Sequence, residues 1–128
     1  MSIKTDVSVG ELLDKLSILQ IKQARIKDAT KLVNINKELN TLLQLWQQSS
    51  YSSADIKAEL DGLRSVNEKL WDIEADIRDK EARGEFDERF IQLARSVYIT
   101  NDQRARIKKT INEKLASGLV EEKSYKDY

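Results

Sequence analysis

The 128-residue chain contains no proline, no cysteine and no histidine, and only four glycines. Average usage of about 5% would put roughly six prolines in a chain this long, so their absence favours long uninterrupted helices. Without cysteine or histidine there is no disulfide, no Cys/His zinc site, no Ser-His or Cys-His nucleophile pair and no imidazole base. Catalysis would have to rest on carboxylates, Lys, Arg, Tyr or a carboxylate-bound metal. An excess of one charge is also missing, because 22 basic residues balance 22 acidic ones. That balance removes any global electrostatic pull toward nucleic acid or an anionic membrane. No run approaches the ~20 apolar residues of a membrane span, and the N-terminus lacks the apolar stretch of a signal peptide, so a cytoplasmic location is expected.

What is present is periodic. Hydrophobic residues make up 40% of the chain and charged residues 34%, enough for a core and a solvated surface. The spacing predicts a single all-α domain over 1–128, an antiparallel helical bundle of two helical hairpins. In the first hairpin, Ser8 and Glu11 fit a capping box for a helix over 8–27, with Leu12, Leu16, Leu19 and Ile26 on its buried face and Leu13 and Ile21 flanking. After a break at Lys27–Thr30, where Asp28 or Thr30 can cap, Leu32, Ile35, Leu39, Leu42 and Trp46 mark a helix over 30–47. Gln47 to Ser53 reads as a loop, and 1–7 as an extended segment.

The second hairpin is the longer. Ile56, Leu60, Leu63, Val66, Leu70, Ile73 and Ile77 share one face of a helix over 53–83, capped by Ser52 or Ser53 and ended by Gly84 in a left-handed conformation. Asp87 caps the return helix over 87–116, whose stripe is Phe90, Leu93, Ala94, Val97, Ile107, Ile111 and Leu115, with Gly118 beyond its end. The length difference predicts an overhang of ~15 Å whose apolar face needs cover. A partner copy could supply it, or the tail 118–128 packed on the bundle with Tyr125 as anchor.

Polar residues interrupt this coiled-coil-like seam. A hairpin turning near Glu85 brings Glu74 toward Val97 and Tyr98, Leu70 toward Asn101, and Asn67 toward Arg104. Buried charge is costly unless paired. The cluster of Asn67, Glu74, Tyr98, Asn101 and Arg104 is therefore either a network that fixes helix register or a pocket for a small anion, with Arg104 as binding cation and Glu74 as acid or base. Asp72, Asp76 and Asp79 share a face, but interleaved Arg78, Lys80 and Arg83 mark it as a solvated surface, and no metal or cofactor is expected. Arg104, Arg106, Lys108, Lys109 and Lys114 make part of the last helix basic, without neighbouring aromatics for base stacking.

The runs Leu70-Trp71-Asp72-Ile73-Glu74, Ile77-Arg78, Phe90 to Arg95, Val97-Tyr98, Asn101-Asp102 and Leu119 to Tyr125 (LVEEKSY) resemble a small all-helical bacterial and phage protein family of unknown function. The resemblance covers almost the whole chain from Ser8. The family pattern tends to have prolines near Thr5 and Val9, which this chain lacks. The resemblance implies no established activity; some members accompany surface-polysaccharide or glycosyltransferase genes. The expectation is a non-enzymatic helical protein–protein interaction module whose partner is a second copy, a homodimer, with Trp71, Leu119, Val120 and Tyr125 as candidate interface residues. The alternatives are a small helical ligand-binding protein or enzyme acting on a small anion, and a weak nucleic-acid binder through the basic part of the last helix.

Overall fold

The computed structural model describes residues 2–117 and 122–128. Four helices account for most of it: α1, Val9–Arg25; α2, Ala29–Gln48; α3, Lys57–Ala82; and α4, Glu88–Lys114. A short 3-10 turn, Ser50–Ser53, joins α2 to α3, and no strand occurs among the described residues.

Local chemistry sets most of the helix ends. The Ser8 hydroxyl accepts the Glu11 N–H at 3.1 Å and starts α1. The return half of the expected capping box is not made, because Glu11 reaches across to Lys108. Asp28, not Thr30, caps α2 by accepting the Lys31 N–H at 2.9 Å. Helix α1 stops at Arg25, two residues short of expectation, because Ile26 turns extended and packs against the core. At the other end of the hairpin, Asp87 caps α4 through the Phe90 N–H at 3.0 Å. Gly84, at φ +65°, supplies the left-handed residue that closes α3.

The start of α3 differs most. Neither Ser52 nor Ser53 caps it. Ser49 and Ser52 are used within the connection: the Ser49 hydroxyl accepts the Tyr51 N–H, and the Ser52 hydroxyl donates to the Gln47 and Ser49 carbonyls. Helix α3 therefore begins at Lys57 with no side-chain cap, and burial of Ile56 holds its entry instead.

Helices α3 and α4 pack along their length, with Asn67 opposite Arg104 as the hairpin register requires. Helix α1 lies against both, and α2 packs on α1 and on the 3-10 turn that follows it. The arrangement is an all-α bundle in which α1 is central. Its Leu13, Leu16 and Leu19 join Ile35 and Leu39 of α2, Leu63 of α3 and Ile111 of α4 in one core. Helix α1 ends beside Trp71 and Asp72, where Arg25 pairs with Asp72 at 2.5 Å and stands over the Trp71 ring. With 17 residues in α1 against 26 in α3 and 27 in α4, the α3–α4 hairpin projects past α1 by about 10–15 Å. This projection carries the Ile73, Ile77, Phe90 and Leu93 stripe between two helices only.

Candidate functional site

The polar groups converge where α1 crosses the hairpin. Asp14 and Ser17 come from α1, Asn67 from α3, and Arg104, Lys108 and Asn112 from α4. All but Arg104 are buried. The Asn67 amide donates to Asp14 Oδ1 at 2.9 Å and to the Ser17 hydroxyl at 3.3 Å, while its carbonyl accepts from Arg104 Nη1 at 3.5 Å. Asp14 Oδ2 lies 3.8 Å from Lys108 Nζ and 4.0 Å from Arg104 Nε. Lys108 also donates to Glu11 at 2.6 Å. A buried carboxylate held by two cations and an amide is the compensated state that desolvation demands.

Close backbone approach makes this crossing possible. The Gly10 N–H donates to Asn112 Oδ1 at 2.7 Å, and a Cβ on Gly10 would stand 2.6 Å from the Lys108 carbonyl oxygen. No larger residue fits there without displacing α1. Among the described residues, Thr100 Oγ1 and Asn112 Nδ2 are buried polar atoms with no hydrogen-bond partner.

The five residues singled out from the sequence divide between two surfaces. Asn67, Glu74 and Arg104 line a groove of about 420 Å³ whose apolar wall is Ile18, Leu70, Trp71 and Ala75, with Lys22 and Arg78 at its rim. Arg104, Tyr98 and Asn101 line a larger cleft of about 630 Å³ between α4 and the C-terminal segment. The expected approach of Glu74 to Arg104 is corrected: Glu74 is 48% exposed and paired with Arg78 one turn along α3, at 3.0 Å. Asp14 is the carboxylate beside Arg104. Tyr98 also faces outward, its ring edge-on to Tyr128 at 5.3 Å. Tyr128, not Tyr125, makes that tail contact. Its hydrogen bond with Asp102 pushes the phenol above its ordinary value, whereas Tyr125 is 81% exposed beneath the Lys123 ammonium. Trp71 is half-buried at the groove; Leu119 and Val120 lie outside the described residues.

Sequence reasoning missed Asp14, Ser17 and Asn112, and it counted Lys108 only in the basic part of the last helix, whereas it is buried in the cluster. A signal existed in α1. Gly10, Asp14, Ser17 and Ile21 follow helical spacing and form a second buried face beside the leucine stripe. On α4, Arg104 and Lys108 turn inward and Lys114 pairs with Glu59, leaving Arg106 and Lys109 at the surface. Among the described residues no three acidic side chains converge to hold a metal; Asp72 is held by Arg25 and Asp79 by Arg83.

A family model for a family of unknown function, DUF6165, matches residues 3–128. The chain belongs to that family. No curated protein and no solved structure matches the chain. For this family member the buried cluster holds α1 in register on the hairpin, and Arg104 is the group that links it to both open surfaces. No described helix is long and apolar enough to cross a membrane.

Proposed function

We propose that the protein is a non-enzymatic helical interaction module that works in the cytoplasm as a homodimer, joined through the projecting α3–α4 hairpin. The observation that supports this reading is the projection itself. Past the end of α1 the apolar stripe of Ile73, Ile77, Phe90 and Leu93 has one helix on either side, and Phe86 and Ile91 are exposed on the outside at 61% and 49%. Ile73 and Leu93 are buried between the two helices, and Ile77 and Phe90 half-buried, so what a second hairpin laid alongside would cover is the outward Phe86 and Ile91. The polar cluster fits the same reading, because its acids and cations are largely satisfied by one another and it supplies no paired nucleophile and base.

Static light scattering over a concentration series should report twice the 14.8 kDa chain mass through the micromolar range. A mass that stays at one chain at high micromolar concentration would overturn the proposal.

A further inference from the structure

The projecting hairpin carries an apolar knob at its tip and a groove of complementary character at its root. At the tip, the exposed Phe86 ring stands edge-on to Phe90 with centroids 5.1 Å apart, and Ile91 lies exposed beside them. The turn that presents it, Gly84-Glu85-Phe86-Asp87-Glu88, holds three carboxylates and no base; Lys80 pairs with Glu85 and Asp87, and Arg83 also reaches Glu85 at 3.5 Å. At the root, the groove walled by Ile18, Leu70, Trp71 and Ala75 is bordered by Lys22, Arg78 and Arg104 against the single acid Glu74.

A chain cannot dock its own knob into its own groove. Ala75 and Phe86 are separated by the last two turns of α3, a rigid spacer of roughly 10 Å or more. Two copies can. If two hairpins lie antiparallel about a twofold axis midway between tip and root, each tip meets the other copy's groove and both contacts form at once. The acidic turn then faces the cationic rim, and the aromatic knob meets Trp71 and Leu70.

We propose that the groove receives Phe86 of a second copy of this chain, giving an isologous dimer with two knob-in-groove contacts. This rests on the self-association reading and names its contact. A buried aromatic at such a contact is the kind of anchor whose loss weakens binding about thirtyfold or more.

The absence of cysteine makes the contact directly testable. Full-length chain carrying both Ala75→Cys and Glu85→Cys, which keeps the Phe86 ring, should, after mild oxidation, run as a covalent dimer on a non-reducing gel. A mixture of the two single variants should yield the crosslinked heterodimer. Phe86→Asp, at an exposed position, should keep wild-type helicity while its dimer dissociation constant rises at least about thirtyfold. A dimer that persists in Phe86→Asp with no disulfide between positions 75 and 85 overturns this contact and leaves self-association through other surfaces standing. A wild-type chain that is monomeric overturns both.

Discussion

Replacing Gly10 with alanine tests the crossing of α1 over α4. The added Cβ would lie 2.6 Å from the Lys108 carbonyl oxygen and 3.0 Å from Asn112 Oδ1. The first of these is backbone in the middle of a helix and cannot rotate away, so α1 must move outward. That displacement stretches the 2.7 Å bond from the Gly10 N–H to Asn112, which is buried. Alanine favours helix over glycine by at most ~1 kcal/mol. Against this stand overpacking, ~1–3 kcal/mol, and weakening of a buried hydrogen bond, ~1–3 kcal/mol if its partner is left unsatisfied. The net expectation is destabilisation by about 2 kcal/mol, or a melting temperature lower by roughly 5–8 °C for a domain of this size. Urea unfolding followed by circular dichroism measures it. Gly62→Ala is the matched control: its Cβ would meet the Ile107 Cδ1 methyl at 3.2 Å, the end of a side chain that can shift, so this variant should be neutral or slightly stabilised. If Gly10→Ala is as stable as wild type, the close approach of α1 to α4 is wrong.

The other expectations concern charge. Asp14→Ala should cost about 3–5 kcal/mol in the same unfolding assay because Arg104 and Lys108 lose a buried counter-charge, whereas Glu74→Ala, removing an exposed pair with Arg78, should cost well under ~1 kcal/mol. Equal effects would refute the assignment of Asp14 to the centre of the cluster. At the hairpin turn, Lys80 and then the Phe90 N–H hold the Asp87 carboxyl below its ordinary 3.8. Its contribution is therefore complete above pH 3.8 and lost as pH falls through the lower folded value. The Phe90 amide resonance should accordingly titrate with a midpoint below 3.8, and a midpoint at or above 3.8 would contradict the cap. Lys80 behaves in the opposite sense. Asp87 and then Glu85 raise it above 10.5, so its contribution is complete below pH 10.5 and disappears as pH rises through the folded value.

The helices and most of their ends were legible in the sequence because they depend on neighbours in the chain. Ser8, Asp28 and Asp87 cap through N–H groups three residues on, and Gly84 occupies a conformation set by its own backbone. The hairpin register was legible for the same reason: a short turn between long helices leaves little choice, and Asn67 does face Arg104. Tertiary structure decided how many neighbours each helix has. Periodicity marks a face as apolar, but only the central position of α1 buries its second face, Gly10, Asp14, Ser17 and Ile21, against the hairpin. That position also decided which acid meets Arg104. Glu74 has the right register on α3 yet points to water and pairs within its own helix, while Asp14, 90 positions from Arg104 in the chain, is carried there by the crossing of α1. A charge can leave water only where several helices together surround it with partners, and that enclosure is a property of the packed bundle.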